Sequence, residues 1–415
     1  MPVLIFATLD TKGHEAAFVR DELRAAGVEV ALVDCGSLGE PEVRADVARE
    51  ELFRAAGTSL AELGRANERG GAVDAAARGA AALARRFHAE GKLLGVLGLG
   101  GSAGTTIGTA AMRALPLGVP KLMVSTLASG AVGHYVGTAD IAMLHSVVDL
   151  AGLNRISRVV LARAAQAMAG MAKGRLPAAS AGERPIVAAS MFGVTTPCVE
   201  RARAVLEQAG FEVLVFHATG SGGRTMEALI DSGVIAGVLD VTTTELADEL
   251  VGGVLSAGPE RLTAAARAGI PQVVSVGALD MVNFLAFDTV PARFAGRQFH
   301  RHNANVTLMR TTSAENGALG RELAEKVARS RGPARIFLPL RGISAIDRAG
   351  QPFDDPEARA ALFAAIRAHA GTVPVSELDL HVNDAAFAEA MARELMALLR
   401  VERASHSVNP AARSP

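Results

Sequence analysis

The residues best equipped for chemistry are the glycines and hydroxyls of Gly98-Leu99-Gly100-Gly101-Ser102-Ala103-Gly104-Thr105-Thr106, which follow a short apolar run and lead into a helix-like segment. Glycine lets the backbone approach a ligand closely, and the free N–H groups that open a helix face an anion with the positive end of the helix dipole behind them. The expected guest is a phosphate, with Gly98, Gly100, Gly101, Ser102, Gly104 and Thr105 as its contacts and Thr106 beside them. A P-loop would end in Gly-Lys-Ser/Thr, whereas Gly104 is followed by Thr105, so Walker-type hydrolysis is disfavoured. Gly98, Gly100 and Ala103 fit the dinucleotide spacing. The stretch about 20 residues on ends in Ser125-Thr126, not in the acid that holds a ribose, and NAD gains little support. A helix-entry turn whose glycines serve packing alone is the competing reading.

A second group, Asp10-Thr11-Lys12, closes the first apolar run and opens a helix. Asp10 or Thr11 suits a cap, and Lys12 suits a phosphate as a point charge. Ser125, Thr126, Ser129 and Gly130 follow a predicted strand, on the side where open α/β sheets hold ligands. Lys121, before that strand, reads as a solvated end residue, while Asp140 and Asp149 suit a ribose, a metal or a partner helix equally. Gly220, Gly222, Gly223 and Arg224 form another glycine turn before a helix and are candidates for a second anion site, with a plain structural turn as the alternative. The run Phe299-His300-Arg301-His302-Asn303 sets imidazoles around a guanidinium, and His300 and His302 share a face of an extended chain. With Arg310 it offers a general acid and an anion clamp. His302, Arg310 and Asp10 are therefore the catalytic candidates, a buried ion pair being the other reading of Arg310. The spacing does not make a zinc set, and no metal site is expected. Asp379-Leu380-His381-Val382-Asn383-Asp384 precedes an amphipathic helix that Asn383 or Asp384 would cap.

Holding these groups falls to alternating elements. The first half predicts strands at 3–7, 28–33, 93–99 and 122–125, with helices at 13–26, through 86–89, and at 105–115. That order argues for an α/β fold with a parallel sheet covered by helices, and the unbroken apolar strands fit burial on both faces. The second half repeats the plan: 3–34 aligns without a gap to 186–217, Gly95-Val96-Leu97 matches Gly237-Val238-Leu239, and 118–125 matches 269–275. The expectation is two related Rossmann-like domains with mostly parallel sheets, 1–178 and 184–400. A Pro-, Ala-, Ser- and Gly-rich connection spans 176–184, and 401–415 reads as a disordered or peripheral tail. The glycine loop of the first half corresponds to Asp240-Val241-Thr242-Thr243-Thr244-Glu245 in the second, which is not the same cradle.

Composition narrows the function classes. A chain of 415 residues exceeds the usual single core. Its 42 basic and 43 acidic residues leave a net charge of −1, without the field that recruits nucleic acid or membrane. Aromatic residues are 4%, with no Trp and one Tyr, which disfavours a base-stacking surface. Cys35 and Cys198 have neither disulfide-framework nor zinc spacing and are expected as buried thiols in a reducing cytoplasm. The first apolar run is strand-length and lacks a basic leader, so it reads as a strand and not a signal peptide.

Taken with Thr8-Leu9-Asp10-Thr11-Lys12-Gly13, Tyr135-Val136-Gly137-Thr138-Ala139-Asp140, Ser146-Val147-Val148-Asp149, His217-Ala218-Thr219-Gly220, His302-Asn303 and Leu308-Met309-Arg310-Thr311-Thr312, these motifs resemble the UPF0261 family, the Tm-1-like ATP-binding proteins, over nearly the whole chain. The resemblance implies two Rossmann-like domains, ATP or a related nucleotide as ligand, and a homodimer, while the Ser102, Thr105 and Thr106 hydroxyls suit phosphate oxygens or a Mg2+ ion carried by the nucleotide. It implies no known reaction. Three functions stand as expectations: an ATP-binding cytoplasmic protein with ATP-dependent or phosphoryl-transfer chemistry on a small metabolite; a non-nucleotide isomerase, hydrolase or transferase acting on a sugar phosphate or sugar acid; and a nucleotide-stabilised interaction protein without turnover. The expected partners are a nucleotide and a small-molecule substrate, with neither nucleic acid nor membrane.

Overall fold

The computed structural model describes residues 1–66, 69–175 and 183–408, and the chain divides into two compact units, Met1–Ala179 and Ser180–Pro415. Most of the connection expected at 176–184 lies outside the described residues. In the first unit β1 (Val3–Ala7), β2 (Val30–Asp34), β3 (Gly95–Gly100), β4 (Lys121–Ser125) and β5 (Ala142–His145) form one parallel sheet in the order β2-β1-β3-β4-β5. Strand side chains alternate between faces. Val3, Ile5, Leu97 and Leu99 accordingly pack against the helices Leu9–Ala25 and Arg155–Lys173, while Leu4, Phe6 and Val96 pack against Arg49–Ala55, Arg69–Ala89 and Ser102–Arg113. Burial on both faces explains why these strands read as unbroken apolar runs.

The second unit holds β6 (Ile186–Met191), β7 (Glu212–His217), β8 (Gly237–Thr242), β9 (Gln272–Gly277), β10 (Met281–Phe284), β11 (Phe299–Asn303), β12 (Val306–Arg310), β13 (Ala334–Pro339) and β14 (Val375–Leu378). Its main sheet, β14-β13-β9-β8-β6-β7, is parallel and reproduces the order of the first unit with one extra edge strand. The antiparallel sheet β10-β12-β11 is inserted between β9 and β13. Both units are Rossmann-like, and the strand-by-strand correspondence follows the repeat in the sequence.

Several boundaries differ from expectation for local reasons. The first helix starts at Leu9, directly after β1, and contains one non-helical residue, Lys12, at φ −133° and ψ 18°. The helix after β3 starts at Ser102, three residues before 105. The tail through Val408 continues the helix Ala385–Val408, and 409–415 lie outside the described residues. Lys121 is not solvated: it is buried, with Nζ 2.5 Å from Asp140 Oδ1 and 2.7 Å from the Pro116 carbonyl. Among the described residues no helix is long and apolar enough to cross a membrane.

The helix Ser102–Arg113 can lie on β3 only because glycines face glycines. A Cβ on Gly98 would stand 3.2 Å from Gly108 Cα and 2.5 Å from Met123 Sδ, and one on Gly104 would stand 2.8 Å from the Leu99 carbonyl oxygen. Gly104→Ala should therefore destabilise the protein by about 1–3 kcal/mol through overpacking. Gly170→Ala, in open space on the helix Arg155–Lys173, should stabilise it by up to about 1 kcal/mol through helix propensity. Urea unfolding of both variants checks the contrast.

Candidate functional site

In a sheet of order 2-1-3-4-5 the chain leaves β1 towards one edge and β3 towards the other, and the crevice beyond their carboxyl ends is where ligands bind. A cavity of about 200 Å³ opens at that point. Three segments build it: the β1-to-helix turn at Thr8–Lys12, the loop after β2 at Ser37 and Leu38, and the helix start at Gly101–Gly104. Ala72, Val73 and Ala76 of the helix Arg69–Ala89, with Ile107, supply the apolar side.

The helix start is open. Gly101 is the N-cap and no side chain caps the helix, so the amides of Ser102, Ala103 and Gly104, which have no partner within the helix, face the cavity side unclaimed. Beside them lies Lys12. Its backbone amide donates to the Thr8 carbonyl at 2.8 Å, and among the described residues nothing pairs with its ammonium. Thr8 and Thr11 satisfy each other, their hydroxyl oxygens 2.9 Å apart, with the Thr8 carbonyl accepting from Thr11 Oγ1 at 3.3 Å.

Asp10 is already engaged. Its Oδ2 accepts from the amides of Ser37, Leu38 and Gly39 at 3.1, 2.9 and 3.2 Å, and a Cβ on Gly36 would collide with the carboxyl at 2.6 Å. Buried Asp34 completes the brace: Oδ1 accepts from Leu9 N and Gly36 N, Oδ2 pairs with Arg49 Nε at 2.6 Å, and Arg49 Nη1 donates to the Gly39 carbonyl. Asp10 thus positions the wall of the cavity through Oδ2 and is not a helix cap.

Of the phosphate contacts expected from sequence, Asp10, Thr11, Lys12, Gly101, Ser102 and Gly104 come together around this cavity. Thr105 and Ser125 turn inward: their hydroxyls meet at 2.7 Å, Thr105 Oγ1 donates to the Gly101 carbonyl, and Ser125 Oγ accepts from Leu127 N. They tie the helix to β4. Thr106 donates back to the Ser102 carbonyl. Gly98 and Gly100 lie within β3, where they give room to the helix. Thr126, Ser129 and Gly130 do not line the cavity, and the last two are exposed. Sequence reasoning missed Ser37, Leu38, Ala72, Val73 and Ala76; the available signal was Asp34-Cys35-Gly36 at the end of β2 and the alanines on one face of the long helix. Cys35 also borders the cavity, buried, with its thiol donating to the Val33 carbonyl; burial and the Asp34 charge hold it protonated. Cys198 is likewise a free buried thiol, pushed up to about 12 by desolvation.

The second unit fills its own glycine turn. The amides of Gly220 and Gly223 donate to Glu245 Oε1 at 2.6 and 3.0 Å, and a Cβ on Gly223 would stand 2.2 Å from Glu245 Oε2. The anion at this helix start is the protein's own carboxylate. Its counter-ion is the fully buried Arg261, which also grips both oxygens of Asp240 and reaches Glu227. Gly222 is needed because a Cβ would meet the His217 carbonyl at 1.9 Å. Arg224 is exposed and donates to the Ser256 carbonyl. The set Gly220, Gly222, Gly223 and Arg224 is therefore a structural joint in which the Gly220 and Gly223 amides are already taken by Glu245.

His302 and Arg310 are likewise not brought together. His302 is exposed near the tip of the β11–β12 hairpin, whereas Arg310 is buried at the other end of β12. Its guanidinium donates to the Phe353, Asp280 and Thr311 carbonyls and lies 3.4 Å from Asp347 Oδ1, so it acts as an internal ion pair and not as an anion clamp. Arg359 holds the same Asp347 oxygen at 2.7 Å. His300 packs its ring against Phe353. In the last cluster Asp379 pairs with exposed Arg341, His381 Nδ1 accepts from Asn383 N while Nε2 meets the Ser344 carbonyl, and Asp384 accepts from His381 N. Asn383 bridges instead to Val194 and Cys198.

Residues 1–177 match the family model described as the UPF0261 N-terminal domain, and residues 184–399 match the corresponding C-terminal domain. The chain belongs to the UPF0261 family. A UPF0261 protein of Clostridium tetani (strain Massachusetts / E88) is 48% identical over 399 residues, covering 96% of this chain and 98% of the relative. One from Rhizobium meliloti (strain 1021) is 49% identical, covering 94% and 96%. The ToMV resistance protein Tm-1(GCR237) of Solanum lycopersicum is 47% identical over 311 residues, which cover 73% of this chain and 41% of that longer protein.

Two measurements test these networks. Arg261→Met in this UPF0261 chain strands three carboxylates and should cost about 3–5 kcal/mol in urea unfolding. Asp280 is wholly buried, accepts only from Ser344 Oγ at 2.8 Å, and leaves Oδ1 without a partner; burial and the neighbouring Asp347 charge raise it to about 7. Folding raises it from about 4, so its proton contributes stability that is complete below about pH 4 and lost as pH climbs towards 7. Asp280→Asn should flatten that decline, as read by unfolding at pH 4.5, 6 and 8.

Proposed function

We propose that the first unit binds ATP through its phosphates, at the crevice between the ends of β1 and β3. The observation that carries this reading is the unpaired Lys12 ammonium beside the uncapped helix start at Gly101–Gly104 in one cavity. An ammonium and a fan of free amides on a helix dipole favour an oxyanion over any neutral ligand. The switch-point position supports it further, as does the family resemblance. The enclosed volume, about 200 Å³, is below the ~300–1,000 Å³ of pockets that bury a whole drug-sized ligand. It suits the phosphates with part of the nucleotide, the remainder lying at the mouth. Because Asp10 is taken up through Oδ2 by three amides, the reading is one of binding, and Mg2+ would arrive with the nucleotide.

ATP with Mg2+ should raise the unfolding temperature in a concentration-dependent way, with about 2.7 kcal/mol of added stability at a hundred times Kd. Lys12→Ala should weaken ATP by about tenfold or more while leaving the ligand-free unfolding temperature close to that of the parent, as expected for a charge-assisted contact to phosphate. No shift at millimolar ATP would overturn the proposal.

A further inference from the structure

We infer, resting on the nucleotide reading above, that Asp10 is a metal ligand of this crevice: its second carboxylate oxygen, together with the Ser102 hydroxyl, holds the Mg2+ that enters on the phosphates. Asp10 then has two roles, one for each oxygen.

Those oxygens have different surroundings. Oδ2 accepts from the amides of Ser37, Leu38 and Gly39, whereas Oδ1 accepts from none of the described residues. Asp10 also lines the cavity. Three amides on one oxygen leave the carboxyl little freedom to turn, and packing restrains it as well, since a Cβ on Gly36 would stand 2.6 Å from its Cγ and 2.7 Å from Oδ1. Asp10 therefore offers a fixed acceptor to the cavity that also holds Lys12 and the helix start at Gly101–Gly104.

In an anion cradle an acceptor has the wrong sign. Lys12 and the free amides attract phosphate oxygens, and a carboxylate sharing a cavity of about 200 Å³ with them repels the same oxygens. With a divalent cation between them, carboxylate and phosphate become ligands of one ion and the repulsion is removed. A single carboxylate is enough for Mg2+, which is commonly held by one or two carboxylates with substrate phosphates and keeps several waters. The hydroxyls narrow the rest of the set. Thr105 donates to the Gly101 carbonyl and Thr106 to the Ser102 carbonyl. Ser102, at the first position of the helix and on the cavity, is the hydroxyl of that segment left to join. The Cys35 thiol donates to the Val33 carbonyl, so the donors on offer are hard oxygens, as Mg2+ requires.

The experiment is calorimetric titration of the full chain with ATP and with inorganic tripolyphosphate, each in Mg2+ and again in EDTA, for the parent and for Asp10→Asn. Asparagine keeps a carbonyl oxygen for the three amides, so the ligand-free unfolding temperature should stay close to that of the parent, while its NH2 group can only donate. In the parent, Mg2+ should tighten ATP by about tenfold or more. Asp10→Asn should weaken ATP and tripolyphosphate alike by about tenfold in Mg2+, yet bind both in EDTA as well as the parent or more tightly, because the repelling charge is gone. Ser102→Ala should weaken the Mg2+ forms by about threefold and leave the EDTA values unchanged. Equal affinity of the parent for ATP in Mg2+ and in EDTA would overturn the inference without any variant. So would an Asp10→Asn loss of the same size in both media: confined to ATP, it would put Oδ1 on the ribose, and shared with tripolyphosphate, it would leave Asp10 as a brace alone. If neither ATP nor tripolyphosphate binds the parent in either medium, the nucleotide reading itself falls.

Discussion

Side chains have no room where the helix Ser102–Arg113 meets β3, and everything at the site of the first unit depends on that contact. Gly98 lies against Gly108 and Gly104 against the Leu99 carbonyl, so the helix axis comes close to the sheet and its first turn is delivered to the end of β3. Thr105 then locks the arrangement by bonding both to Gly101 and to Ser125 on β4. The glycine-rich sequence thus serves two purposes that are hard to separate on paper. Gly98, Gly104 and Gly108 permit the approach, and Gly101 leaves the helix start uncapped for a ligand.

The two units share a strand order and also a device. In each, the segment after the second strand is held by a carboxylate from the end of another strand of the same sheet, the adjacent β1 in the first unit and β8, one strand removed, in the second. Asp10, just past β1, collects the amides at 37–39, and Glu245, just past β8, collects those of Gly220 and Gly223. The consequences diverge because of where the carboxylate lands. Asp10 fixes a wall and leaves the neighbouring helix start at Gly101 open. Glu245 lands on the helix start itself, with Arg261 neutralising it, and closes that position to any other anion. A duplicated fold therefore keeps one open anion position and one filled from within.

What could be read from the sequence was local. Alternating apolar runs placed β1, β3 and β4 within a residue or two, and the repeat between 3–34 and 186–217 anticipated the common strand order. The motif Asp10-Thr11-Lys12-Gly13 at the end of a strand pointed to the corner of the sheet where the cavity opens. The misreadings share a cause: the partner lies far along the chain. Lys121 looked solvated because Asp140 is nineteen residues away. Arg310 looked free because Asp347 is thirty-seven residues away, and the turn at Gly220 looked vacant because Glu245 follows twenty-five residues later. A residue's type states which charge it carries, whereas only the fold states whether that charge is already matched. The apolar side of the cavity was missed for a related reason, since Ala72 and Ala76 are unremarkable alanines until the long helix is laid against the helix Ser102–Arg113.

This contrast gives weight to what the first unit leaves unmatched. Several other buried or half-buried charges are paired: Arg49 by Asp34, Lys121 by Asp140, Arg261 by three carboxylates, Arg359 by Asp347 and Asp354. Side-chain caps, each worth about 1 kcal/mol, occur at Asn154, Thr312 and Asp355, while the helix starts at Thr8, Ala48, Gly101, Thr195, Gly220, Thr243 and Thr263 carry none. What sets the start at Gly101 apart is the unpaired lysine that lies with it in the same small cavity. A lapse in local matching is expected where function, and not folding, sets the residue. The lapse here has a definite chemical sense: both unmet groups are positive or donors, and both are met at once by the same phosphate.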